Sequence, residues 1–253
     1  MLEKTLKENR NQILFVLGVL VIGTAALYVQ GYFDLWKRTD PLMYGDSKLK
    51  LVFGGNHPAL VSYTPEKRLS GHYTSNGVSV PSEGLVVLGF DEAALIARER
   101  NISPEEVKPS LLLSDYTGPG NTIRVAGVLR KMNSSSDKIS FVSKKDFDDI
   151  QGRSIELKRT PDMMPKLFYY VSASDDFIQG IPFAEGSWEN FKRDDKYFPL
   201  ILGRAEANMM IKEKLISGTG SKIEDLFGKP VFVAGIFNST GTALDVLHYL
   251  PEE

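Results

Sequence analysis

The sequence contains no cysteine, which excludes disulfide scaffolds, thiolate metal sites and thiol nucleophiles. Histidine is scarce. Only His57, His72 and His248 occur, none in an H-x-x-x-H or H-E-x-x-H spacing, so no metal site is expected. Charge of one sign is not in excess: 30 Lys and Arg against 32 Asp and Glu leave a formal charge of -2. That balance supplies neither a nucleic-acid footprint nor an acidic solvating tail, and no nucleic-acid partner is expected. No G-x-x-x-x-G-K-[ST] phosphate loop is present, since Gly218-Thr219-Gly220-Ser221 lacks the lysine and the spacing, and no G-x-S-x-G elbow presents a serine.

What is there is an ordinary globular composition, 42% hydrophobic and 25% charged over 253 residues. One run stands out. From Asn11 to Phe33 no residue is charged, and Ile13 to Val29 is almost wholly apolar, long enough to cross a hydrocarbon core as a helix. Tyr28, Tyr32 and Trp36 follow in the manner of an interfacial aromatic belt, and Lys4, Lys7 and Arg10 precede it. The reading is a single-pass helix over 11–33 after a short cytoplasmic tail, 1–10, contacting membrane lipid and placing the C-terminal region outside the cytoplasm. A cleaved signal peptide, with Thr24-Ala25-Ala26 as its small residues, is the alternative. Sequons at Asn101, Asn133 and Asn238 would be glycosylated only on an outside domain.

After the apolar run, 34–80 reads as a β-rich connecting region with strands at Lys48–Phe53 and Ala59–Tyr63. Two similar units follow, 81–150 and 151–253. Leu85-Val86-Val87-Leu88-Gly89 leads into an amphipathic stretch from Phe90 to Ile102, as Pro199-Leu200-Ile201-Leu202-Gly203 leads into Arg204 to Ile216. Capping-box patterns, Ser103-Pro104-Glu105-Glu106 and Ser221-Lys222-Ile223-Glu224, predict a further short helix in each. Each unit closes on a Val-Ala-Gly strand, Ile123–Leu129 and Val231–Phe237, whose glycines Gly127 and Gly235 mark a bulge or a close backbone approach. The expected class is α+β, a transmembrane helix followed by two related strand–helix–strand units. Gly89 pairs with Gly203 at an offset of 114 residues and Gly127 with Gly235 at 108, so the first unit carries six extra residues, expected around Thr117–Asn121.

The second unit resembles the extracytoplasmic core domain of MacB/FtsX-type ABC transporter permeases. The likeness runs through Glu185-Gly186-Ser187-Trp188-Glu189-Asn190-Phe191, Asp194-Asp195, Leu200-Ile201-Leu202-Gly203, Gly228-Lys229 and Val231-Phe232-Val233-Ala234-Gly235-Ile236, across Phe183 to Leu250. Leu85 to Phe141 resembles the pattern more loosely. Such permeases carry three further membrane helices after this domain, which the sequence does not contain. The resemblance implies a domain type and a transporter-like permease as partner, without transport by this chain.

No residue is assigned a catalytic, cofactor-binding or metal role. His57, before Pro58, and His72, after Gly71, read as exposed loop histidines, and His248 as a strand residue. Asp148-Asp149, Asp175-Asp176 and Asp194-Asp195 read as solvated turns, and Leu167–Val171 as a core strand. The expected function is that of a membrane-anchored, non-enzymatic accessory or structural subunit of a membrane protein complex, acting through protein contacts. The alternative is an extracytoplasmic enzyme or solute-binding module with a cleft between the two units. A pilin-like subunit ranks last, because the basic-glycine processing motif and the glutamate just inside the apolar run are absent.

Overall fold

A computed structural model describes residues 42, 47–63, 81–107, 109, 111–160, 163–192 and 196–252. Residues 48–142 contribute β1 (Lys48–Gly54), β2 (His57–Tyr63), β3 (Leu85–Leu88), β4 (Leu112–Ser114), β5 (Thr122–Val128) and β6 (Ile139–Val142). Residues 153–251 contribute β7 (Arg153–Thr160), β8 (Met163–Val171), β9 (Phe183–Gly186), β10 (Phe198–Leu202), β11 (Lys222–Leu226), β12 (Lys229–Phe237) and β13 (Leu247–Pro251). Among the described residues four short α-helices accompany them: α1 (Phe90–Arg100), α2 (Lys144–Asp149), α3 (Asp176–Gln179) and α4 (Arg204–Lys212).

All the strands belong to one mixed sheet of order β11-β12-β10-β13-β8-β7-β1-β2-β6-β3-β5-β4, with β9 also paired to β12. This corrects the expected class. The described residues do not form strand–helix–strand units behind a membrane helix, because β1 and β2 hydrogen-bond into the same sheet and helices are a minor part. Among the described residues the longest helix, α1, has 11 residues, about 16 Å, roughly half the span of a hydrocarbon core. Among the described residues no helix is long and apolar enough to cross a membrane, so the single-pass localisation, cytoplasmic N-terminus and outside domain have no support there. The segment 11–33, on which those expectations were placed, lies outside the described residues.

The pairing pattern is the same in both halves of the chain. β2 pairs β6 in parallel as β8 pairs β13, β3 pairs β6 antiparallel as β10 pairs β13, and β4 pairs β5 antiparallel as β11 pairs β12. The parallel pairs β3–β5 and β10–β12 each slip by one residue, at Val86/Val87 and Leu200/Ile201. The residues skipped are Ala126 and Ala234, so Gly127 and Gly235 each follow a bulge. Hairpins β1–β2 and β7–β8 meet at the centre, where Leu49–Leu51 of β1 pair antiparallel with Ile155–Arg153 of β7.

Two expectations about the units change. Ser221–Glu224 does not start a helix but enters β11, because Phe227 and Gly228, both with positive φ, turn the chain directly into β12. Ser221 Oγ instead accepts the Ser217 amide at 3.0 Å. The offset between halves is 114 at Gly89/Gly203, 110 at Leu112/Lys222 and 108 at Gly127/Gly235. Four of the six extra residues therefore precede β4, and only two lie in the β4–β5 loop.

Leu49 and Leu51 alternate with Lys48 and Lys50 along β1, which sends the leucines to one face. That face is shared. On a flat sheet β6 and β13, five strands apart, would be separated by about 24 Å, yet Lys138 Nζ, just before β6, donates to the carbonyl of Thr242, just before β13, at 3.1 Å. The sheet therefore curls, joining Leu49, Leu51, Leu60 and Phe141 with Leu167, Tyr169, Leu247 and Tyr249 in one core. Its outer faces are capped separately, by α1 and α2 over Val61, Val86 and Val125, and by α4 over Leu200, Leu202 and Val233.

Candidate functional site

Each half places a glutamate under its longer helix. Glu92 and Glu206 stand three residues after Gly89 and Gly203, on the sheet-facing side of α1 and α4, and both are 2% exposed. Their helices sit close because the glycines allow it. A Cβ on Gly89 would lie 2.4 Å from the Ser136 and Asp137 carbonyl oxygens, and one on Gly203 would lie 2.4 Å from that of Leu244. The carbonyl-bearing turns are held by a buried aspartate apiece. Asp137 accepts the Met132 amide at 2.8 Å, and Asp245 accepts the Thr240 and Gly241 amides at 2.8 and 3.0 Å. Burial raises the Asp137 carboxyl above the usual carboxylate range, against the backbone amides that favour its charged form.

In the first half the glutamate meets His57, the opening residue of β2. His57 Nε2 lies 2.8 Å from Glu92 Oε1, and Nδ1 lies 2.9 and 3.0 Å from the two oxygens of Glu99, about two turns further along the same face of α1. Tyr116 donates its hydroxyl to Glu92 at 2.5 Å, so the Ser140 hydroxyl, 2.5 Å away, donates back to the phenol. Burial opposes charge on the imidazole, but hydrogen bonds and charge from Glu92 and Glu99 outweigh it and raise the His57 pKa above 6.5. Burial, then the Glu92 charge, pushes the Tyr116 phenol far above its ordinary value. A cavity of about 360 Å³ opens beside this cluster, lined by Asn56, His57, Glu99, Arg100, Asp115 and Tyr116.

In the second half the equivalent carboxylate meets Lys166 of β8, whose Nζ donates to Glu206 Oε1 at 2.5 Å with both side chains 2% exposed. His248 of β13 is fully buried. Its Nε2 lies 3.3 Å from the same oxygen as an ion-pair contact without hydrogen-bond geometry, and among the described residues neither ring nitrogen has a hydrogen-bond partner. Burial raises the Glu206 carboxyl, and the opposing influence of His248 and Lys166 brings it below the usual value.

A third cluster sits near the seam. Asp175, 1% exposed, caps α3 through the Ile178 amide at 3.4 Å and accepts from both Arg153 and the Tyr169 hydroxyl. Burial and the Asp175 bond drive the Tyr169 phenol upward against Arg153. We expect Asp175→Ala to cost about 2–3 kcal/mol, since it strands a buried phenol and removes a charge-assisted bond. Urea unfolding would check this, and Asp176→Ala, at an exposed neighbour, should change stability by less than about 0.5 kcal/mol.

The histidines and aspartates named in the sequence are thus spread rather than convergent. His57, expected in an exposed loop, is 9% exposed and bonded on both sides; His248 is in its strand as expected. Asp148 and Asp149 are exposed at the end of α2, and Asp175 is buried while Asp176 is exposed. His72, Asp194 and Asp195 lie outside the described residues. Chemically, the His57 and Lys166 clusters clamp helix to sheet: carboxylates neutralise buried cations, and both His57 nitrogens are occupied, so the ring has no lone pair to offer as a base.

Comparison with protein-family models, with curated proteins and with solved structures found no match to this chain. The likeness to permease core domains accordingly rests on the residues of Phe183–Leu250 and, more loosely, of Leu85–Phe141.

Proposed function

We propose that the described region is a non-enzymatic accessory or structural subunit that works through protein contacts. The observation that carries this reading is where reactive and apolar groups lie. Among the described residues the buried carboxylates, Lys166 and His57 all have hydrogen-bond partners, whereas Phe53 and Phe177 stand 38% and 48% exposed with their rings 4.7 Å apart. The Arg153 guanidinium lies 5.7 Å over the Phe53 ring. Exposed aromatics beside an arginine have the composition of protein-interaction hot spots, and the permease resemblance names a transporter-like permease as the first partner class to test.

A photo-crosslinking phenylalanine analogue at position 177, in cells making the full chain, should give a discrete adduct with one partner protein. Phe53→Ser should weaken that partner's binding by about 30-fold, the equivalent of a hot-spot loss near 2 kcal/mol. The second reading, a solute-binding module or enzyme, draws on the cavity beside His57, which lies within the first half rather than between the two. Saturable turnover of a small molecule by folded protein that forms no adduct would establish it and remove the first.

A further inference from the structure

We propose that His57 is a proton-operated latch on the cavity beside it: the imidazolium ties the β1–β2 turn to helix α1, and loss of its proton releases that tie and widens the cavity. The geometry supplies the argument. Both ring nitrogens face carboxylate oxygens at 2.8–3.0 Å, and an ionised carboxylate only accepts hydrogen bonds, so the ring must donate from both nitrogens and carry a charge. A neutral ring would turn one lone pair onto a carboxylate oxygen at that distance. One contact then has to break. Glu92 is 2% exposed and held by Tyr116, whereas Glu99 is 24% exposed, so the Nδ1–Glu99 contact is the one that opens.

The other groups facing the ring do not replace the lost charge where it is needed. Glu92 and Glu99 of α1 bond the ring, the Tyr116 phenol and through it the Ser140 hydroxyl of β6 bond Glu92, and Arg100 of α1 and Asp115 of the β4–β5 loop line the cavity beside them. Deprotonation thus leaves two carboxylates beside a neutral imidazole. The raised His57 pKa agrees in direction. A histidine elevated in the folded state stabilises fully below its unfolded value near 6.5, and that stabilisation is lost as pH rises through the folded value. In the second half Lys166 holds the matching carboxylate at 2.5 Å, and His248, 3.3 Å from the same oxygen, has no hydrogen bond at either ring nitrogen among the described residues, so the two-sided histidine tie belongs to the first half alone.

The test is a proton NMR titration of the three histidines in the full chain, paired with amide hydrogen exchange between pH 5 and 9 corrected for intrinsic rate. His57 should titrate above 6.5. Opening of the β1–β2 turn, of 111–121 and of the end of α1 should increase through that midpoint by about tenfold per unit of elevation, while the β11–β12 hairpin, which carries no histidine, stays unchanged. His57→Gln should abolish the pH dependence, and Glu99→Gln, at a partly exposed partner, should move the His57 midpoint down and supplies the comparison where His57→Gln does not fold. A midpoint at or below 6.5, exchange independent of pH, or the same acceleration in the β11–β12 hairpin would each overturn the latch.

Discussion

Lys166→Ala is expected to destabilise the protein by about 3–5 kcal/mol, because it leaves the Glu206 carboxylate buried under α4 without its cation. For a chain of this size that corresponds to a fall of roughly 6–20 °C in melting temperature. The loss comes from an uncompensated charge rather than from missing contact area. Lys166→Met combined with Glu206→Leu should therefore be more stable than Lys166→Ala, since an apolar pair of similar volume often replaces a buried ion pair without cost. Urea denaturation of the single and double variants would decide it. If the double variant were as unstable as the single, packing at this point of β8, and not charge, would be what holds α4 down.

Gly89→Ala and Gly203→Ala should each lose stability toward the upper end of the roughly 1–3 kcal/mol seen for overpacking, or beyond it. The new methyl would meet backbone carbonyls at 2.4 Å in both places, and carbonyls fixed by Asp137 and Asp245 cannot rotate away as a side-chain end can. Neither glycine has positive φ, so the effect would be one of space and not of backbone strain. Similar losses at both sites would follow from the matching pairings of the two halves. A loss at only one would mean that the helix–turn approach is needed in that half alone.

Much of the sheet was legible in the sequence, because half-buried strands announce themselves by alternation and turn residues. β3, β5, β10 and β12, the bulge-marking glycines and α1 all stood where apolar period and glycine placed them. What could not be read was how distant strands meet. Nothing local in Lys48–Phe53 tells that it will pair with residues 100 positions on, so the central β1–β7 pairing and the shared core were missed and separate units were expected. Ser221–Glu224 carried the letters of a helix cap, yet the Phe227-Gly228 turn committed it to a hairpin. The site was hidden for the same reason. His57 looked like a loop residue because its partners, Glu92 and Glu99, lie 35 and 42 positions away. One signal was available and went unused: a glutamate three residues after the glycine in both repeats, on the side of the helix that carries the apolar residues. A carboxylate kept twice on a buried face asks for a cation on the sheet.

The strand order bears on how the molecule is made. In each half the strand that comes last along the chain, β6 or β13, is not added at an edge but inserts between two strands already synthesised, β2 and β3 or β8 and β10. During vectorial synthesis the earlier strands must wait with two apolar edges open until the inserting strand leaves the ribosome. The wait for the parallel neighbour is the same in both halves, from Tyr63 to Ile139 for β2 and from Val171 to Leu247 for β8. A nascent chain paused within either interval exposes edges on both sides of a gap, which makes those two stretches of translation the ones when a chaperone is most needed and when another nascent copy could fill the missing place.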